Sequence, residues 1–276
     1  MNRVNTLRLH LGVHKTATTH FQSRLFNSQH KLAEAGIAYL DLDKTREYFT
    51  SILSGGKELS QEAKEFLSWK KVVLLSDENI LGGTDKPRGK SAYKNALGRL
   101  KQFSKLVCAD EIEPYLTIRN PEDYLISRYC EYLRHYPYLS INEYFDEMYV
   151  REFSWLPLIK DIKEAIGKEP VVTIFEDIFK DENRYLQMLS GAEIEFEPPS
   201  VNPGLKRSKI SDEAYSIVSE MALHYPMNVV RRFMDMTGRN PQITKPTPIK
   251  PFSVGLSDKL KSNYRRDKKA LGLLDY

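Results

Sequence analysis

Cysteine is scarce: the 276 residues hold two, Cys108 and Cys130. Two isolated cysteines exclude a disulfide framework and a cysteine-based zinc site, and they fit a reducing compartment. Long apolar runs are missing as well. No stretch longer than ten residues, 221–230, lacks Asp, Glu, Lys and Arg, which excludes a transmembrane helix. The first thirteen residues carry Arg3 and Arg8 but neither an apolar core nor a small-residue cleavage pattern, so no secretory leader is expected and the expected location is cytoplasmic. No internal repeat is found. What is present is an ordinary globular composition, 41% hydrophobic, 28% charged and 11% aromatic, in a chain long enough to bury a large core unaided.

Charge is nearly balanced, at +4 from 41 basic and 37 acidic residues. Its distribution is uneven. Residues 259–269 carry six basic residues and one acid, so the rest of the chain sums to about −1. A nucleic-acid binder spreads its charge over a face or stripe, and no nucleic-acid partner is expected here. The default reading of this segment is a solvated helix surface.

Strand and helix patterns alternate. Leu7–Val13 reads as a buried strand followed by a helix over Thr18–Ala35, with Phe21, Leu25 and Leu32 on one face and Gly36 closing it. Ile37–Leu42, Lys71–Ser76, Tyr115–Ile118 and Val171–Phe175 read as further strands. Helices are expected from Ser60 to Trp69, over 91–107, from Pro121 to about Arg134, and after the Ser140/Glu143 capping box. This order predicts an α/β fold: a mostly parallel sheet of about five strands with helices on both faces and a helical C-terminal part. A single domain over 1–276 is expected, ending in a proline-rich stretch and a basic C-terminal helix within 240–276.

Residues 12–19, Gly-Val-His-Lys-Thr-Ala-Thr-Thr, lie between a buried strand and a helix. There, backbone N–H groups and a helix N-terminus face an anion, Lys15 adds charge, and Thr16, Thr18 and Thr19 add hydroxyl donors. Against GxxxxGK[ST] the lysine comes early and the second glycine is missing, so the common nucleotide-triphosphate loop fits poorly. Arg119, at the end of an apolar strand, and Ser127, eight residues on in the following helix, form a second candidate pair for a phosphate.

The segment His10–Thr19 resembles the 5′-phosphosulfate loop of sulfotransferases, where Lys-Thr-Gly-Thr-Thr or a near variant follows the first strand. Ala17 stands where glycine is usual, as in some carbohydrate sulfotransferases. Arg119, Pro121, Ser127 and Tyr129 complete R-x-P-x5-S-x-Y, which resembles the 3′-phosphate motif of the same family. The resemblance implies a P-loop-like fold and 3′-phosphoadenosine 5′-phosphosulfate as co-substrate. Its binding would fall to Lys15, Thr16, Ala17, Thr18, Thr19, Arg119 and Ser127, with no metal expected. It further implies transfer to a hydroxyl of a small molecule or glycan, with a carbohydrate favoured, and Lys15 neutralising charge on the leaving phosphate. Basic residues late in the chain, Lys206-Arg207 or the 259–269 segment, are candidates to assist the 3′-phosphate.

Transfer to a hydroxyl needs a proton acceptor. Ser76-Asp77-Glu78-Asn79 places carboxylates at the C-terminal edge of a strand, beside the first loop, and makes Glu78 the first candidate. His14 is the second, with His20 and His135 behind it. Seven tyrosines between 124 and 149 read mainly as core with a minority lining an acceptor groove, where Arg128 and Arg134 would attract an anion. Two other functions stay open on the residues alone. One is a P-loop NTP-dependent kinase or ATPase, for which VVLLSDE mimics a magnesium-holding strand; the other is a non-catalytic nucleotide- or polyanion-binding module.

Overall fold

Among the described residues five parallel strands form one sheet, in the order β2-β3-β1-β4-β5. They are β1 (Thr6–His10), β2 (Ile37–Tyr39), β3 (Val72–Ser76), β4 (Glu111–Ile118) and β5 (Val171–Ile174). The computed structural model describes residues 4–55, 58–68, 71–83, 92–200, 210–239 and 247–273. Within them the chain gathers into two compact units. The first holds the described residues of 4–83, 92–120 and 155–200, and the second those of 121–154, 210–239 and 247–273.

The first unit is the α/β layer. Runs such as Val72–Leu75 are apolar on both sides because both faces of a parallel sheet are covered. On one face, Leu74 and Tyr115 pack with Phe21, Leu25, Leu186 and Leu189 from helices Thr18–Asn27 and Glu182–Ser190. Helices Ala96–Val107 and Leu156–Ile166 pack together, and the second lies on β4. Fold class and strand count match the sequence expectation.

The boundaries differ in instructive ways. The expected helix Thr18–Ala35 is two helices, Thr18–Asn27 and Gln29–Glu34, broken at Ser28. Ser28 Oγ accepts from Glu197 N at 2.8 Å, while Arg24 and Asn27 donate to the carbonyls of Phe196, Glu197 and Pro198. That polar seam ties the helix pair to an extended segment. β4 begins four residues earlier than expected, because Arg8 on β1 pairs with Glu113 at its own register, 3.0 Å apart. Pro114 is tolerated there, since the ladder to β5 starts only at Tyr115. Leu42, expected in a strand, opens a helix to Tyr48 capped by Asp41.

The second unit is helical. Its helix Pro121–His135 carries Tyr124, Tyr129 and Tyr132 into a core with Tyr144. The capping box of Ser140 and Glu143 forms, on a helix only four residues long, Ile141–Tyr144. Helix Val254–Ala270 turns Leu260, Asn263, Tyr264 and Asp267 inward, Asn263 Nδ2 donating to the carbonyls of Arg151 and Phe153. Lys259, Lys261, Arg265, Arg266 and Lys269 remain exposed, so the +5 segment is a solvated helix face. No helix among the described residues is long and apolar enough to cross a membrane.

Candidate functional site

In a parallel sheet with covered faces, ligands reach the backbone at the C-terminal ends of the strands. Three adjacent strands of the first unit end here with chemistry to offer: β1 in the 12–19 loop, β4 in Arg119, and β3 in Asp77 and Glu78.

The loop is held in an uncommon shape. Lys15 has φ 70° and Ala17 φ 56°, both left-handed, and Gly12 has φ 31°. Positive φ on either side of Thr16 turns successive backbone N–H groups toward one side, the geometry of an anion nest. It costs about 1–2 kcal/mol at each non-glycine residue. Glycine is required at position 12, where a Cβ would lie 2.6 Å from Thr18 Cγ2 and 3.2 Å from His10 Nε2. Ala17 is the N-cap of helix Thr18–Asn27 and offers no side chain to cap it. Such a helix start favours an external anion.

Around the loop the anchors are specific. Arg119 Nη1 donates to Lys15 O at 2.9 Å, which brings two of the sequence-derived candidates together. The guanidinium stacks 4.8 Å over the Phe175 ring, and Trp155 Nε1 donates to Arg119 O at 2.8 Å. Thr16 is buried and its hydroxyl donates to Val13 O at 2.6 Å, so it pins the loop; Thr18 is buried and Thr19 exposed. Ser127 belongs to the second unit, on helix Pro121–His135, with its side chain buried. Lys206 and Arg207 lie outside the described residues.

His14 is tied down at both ring nitrogens. Tyr93 Oη accepts from His14 N at 2.8 Å and meets Nδ1 at 2.8 Å, while Asn79 Oδ1 meets Nε2 at 3.0 Å. The amide oxygen can only accept, so Nε2 carries the proton and Nδ1 accepts from the tyrosine. His20 bonds Glu182 Oε2 at 2.8 Å, an oxygen it shares with Arg24.

Asp77 and Glu78 occupy the turn after β3. Asp77 is wholly buried and accepts from Thr50 Oγ1 at 2.7 Å, Asn79 N at 3.0 Å and Arg46. Burial, then the neighbouring Glu78 charge, push its carboxyl above the ordinary range against those donors. Glu78 keeps a small opening to solvent, with Arg46 Nη2 at 3.2 Å from Oε1 and Gln22 Nε2 at 3.5 Å from Oε2. Arg99 fixes the same turn by donating to the carbonyls of Asn79 and Ile80.

Beneath the loop runs a buried polar chain. Gln22 Nε2 donates to Ser76 O and Oγ; Ser76 Oγ meets His10 Nδ1 at 2.8 Å; His10 Nε2 meets Tyr185 Oη at 3.0 Å; and Tyr185 meets Thr117 Oγ1 at 2.6 Å. Burial holds His10 down to about 4, so the imidazole is neutral at pH 7. Its unfolded counterpart takes a proton from about pH 6.5 downward, so the stability due to neutral His10 is complete above that value and drains away toward pH 4. Denaturant unfolding at pH 7.5 and 4.5 is expected to show about 2.5 kcal/mol more acid loss in the wild type than in His10→Gln. Equal losses in the two proteins would contradict a buried neutral imidazole.

The tyrosine-rich stretch of the second unit is mostly core. Arg128, expected to draw an anionic acceptor, is instead enclosed at 1% exposure, with Nη1 on Tyr124 Oη at 2.9 Å and Nε on Tyr144 Oη at 3.3 Å. Arg134 pairs with Glu131 at 3.1 Å. Among the described residues, no three His, Cys, Asp or Glu side chains gather as a metal site would require. Arg46, Gln22, Tyr93 and Trp155 join the candidate site without any sequence motif to mark them.

No family profile matches the sequence, and no curated protein matches it. The structure is similar to solved ones. A sulfotransferase from Alicyclobacillus acidocaldarius aligns at 15% identity and a TM-score of 0.44, over 86% of this chain and 97% of that one. A retinol dehydratase in complex with androsterone and the inactive cofactor PAP aligns at 14% identity and a TM-score of 0.39, over 100% of this chain and 84% of that one.

Proposed function

We propose that this chain is a sulfotransferase that takes the sulfuryl group of 3′-phosphoadenosine 5′-phosphosulfate to a hydroxyl, on a carbohydrate. One observation carries the reading. The loop after β1, with left-handed Lys15 and Ala17 and an uncapped helix start, is bonded through Lys15 O to Arg119 at the end of β4. A backbone nest, a lysine and an arginine within one hydrogen bond of each other suit a ligand with two separate phosphate groups. The choice of a carbohydrate follows the Ala17 variant of the loop.

In this reading the nucleotide supplies an activated sulfuryl group, and the protein supplies position, charge and a proton acceptor. Lys15 and the helix start stabilise negative charge on the leaving phosphate, and Arg119 holds the 3′-phosphate. Glu78 takes the acceptor proton, because it is the carboxylate of the β3 turn that retains an opening, whereas Asp77 is sealed. His14 would first have to surrender a bond to Tyr93 or Asn79. A kinase reading is less well supported: both carboxylates that would serve magnesium are engaged by Arg46.

The test is calorimetric binding of 3′-phosphoadenosine 5′-phosphate against ATP, without added metal, to the wild type. The bisphosphate is expected to bind at least about tenfold more tightly, a difference of about 1.4 kcal/mol. Equal or tighter binding of ATP, or no binding of either, would refute the proposal.

A further inference from the structure

Arg46 sits on the helix Leu42–Tyr48, which no sequence motif singles out, and it grips the acidic turn. Its Nη2 is 3.2 Å from Glu78 Oε1 and 3.3 Å from Asp77 Oδ1, and its Nε is 3.4 Å from the same Asp77 oxygen. The exposures of the three side chains are graded: Asp77 0%, Glu78 12%, Arg46 40%. One guanidinium therefore faces two inward carboxylates and remains open to solvent on its other side. Its Nη1 makes no hydrogen bond or ion pair among the described residues. A guanidinium carries five N–H groups, and here Nε and Nη2 are committed to Asp77 and Glu78 while the open edge, the two N–H groups of Nη1, is not.

We infer that Arg46 determines acceptor specificity: its open edge receives an anionic group of the acceptor, a carboxylate, sulfate or phosphate ester, and so sets a nearby hydroxyl against Glu78. The inference rests on the reading of Glu78 as proton acceptor. An anion on Nη1 and the Glu78 carboxylate on Nη2 share one guanidinium, so a single acceptor can reach both. The electrostatics work in both directions. Asp77 and Glu78 alone would repel an acidic acceptor, so the same arginine that attracts it also screens the turn that would reject it. Removing the charge therefore costs an acidic acceptor twice, whereas a neutral one loses only the ion pair that holds Glu78.

The experiment compares methyl glucuronide with methyl glucoside as acceptors for the wild type, Arg46→Gln and Arg46→Lys. The wild type is expected to favour the acidic sugar by about tenfold or more in kcat/KM, as one charge-assisted contact allows. Arg46→Gln is expected to abolish or invert that preference through the KM of the acidic sugar, with Arg46→Lys restoring part of it. The donor KM should stay constant throughout. A merely structural arginine would lower both acceptors in proportion, and an unchanged ratio in Arg46→Gln overturns the inference. So does a wild type that prefers the neutral sugar, or one that binds the bisphosphate yet uses neither sugar. A wild type without affinity for the bisphosphate fails at the earlier step and removes the premise.

Discussion

Glu78→Gln is expected to slow sulfuryl transfer by about 10²–10⁴-fold, the usual contribution of a positioned general base, while bisphosphate affinity stays within about twofold. The substitution keeps the shape of the side chain and removes its capacity to take a proton. The surroundings can absorb it. The new amide oxygen can accept from Arg46 Nη2 where Oε1 now lies 3.2 Å away. The amide nitrogen then faces Gln22 Nε2, now 3.5 Å from Oε2, a mild mismatch at a site already near the limit of hydrogen bonding. Single-turnover transfer of labelled sulfate measures the effect, with calorimetry as the control for binding. Turnover within about threefold of wild type would remove Glu78 from the mechanism. The same measurement on His14→Gln then becomes decisive, because His14 is the next base in reach of the loop.

The parts of the fold readable in advance were those in which one local force dominates. β3 is an apolar run bounded by polar residues, and Ser60, Ser140 and the Asn120-Pro121 pair mark helix starts with little competition. Where tertiary contacts decide, local pattern misleads. Nothing local to Ser28 predicts that Glu197, far along the chain, will donate to its hydroxyl and break the helix. The first half of β4 reads as polar because its charges are satisfied across the ladder by Arg8.

The candidate site divides along the same line. Lys15 and Arg119 belong to contiguous motifs, and the structure joins them by a single hydrogen bond. Their supports are scattered: Tyr93, Trp155 and Arg46 come from three separate stretches and carry no motif. Two others did leave a signal. Gln22 shares the buried stripe of its helix with Phe21 and Leu25, and His10 ends a buried strand. A polar side chain at a core position must find a partner, and here the partners are Ser76 and Tyr185. Arg128 shows the converse: an arginine in a tyrosine-rich helix looks like an anion receptor until burial against two tyrosine hydroxyls is seen.

Lys15→Ala should weaken binding of 3′-phosphoadenosine 5′-phosphate by about 10- to 100-fold, the loss of one charge-assisted contact of about 1.5–3 kcal/mol. The loop should survive the change. Its shape depends on Gly12, on the Thr16 bond to Val13 O and on the Arg119 bond to the carbonyl of residue 15, none of which involves the lysine side chain. Alanine also bears the same left-handed strain as lysine at φ 70°, so denaturant unfolding should change by less than about 0.5 kcal/mol. Lys15→Gly separates backbone from charge. Glycine relieves the left-handed strain, yet the affinity loss should match that of alanine if the ammonium group is what binds. Salt provides an independent check, because the wild-type affinity should fall more steeply with ionic strength than that of either variant. Transfer should suffer beyond binding, by a further factor of about 10²–10³, since charge grows on the leaving phosphate as the sulfuryl group departs. If both variants bind the bisphosphate as the wild type does, the anion lies elsewhere, and the strained loop after β1 must be explained by something other than phosphate.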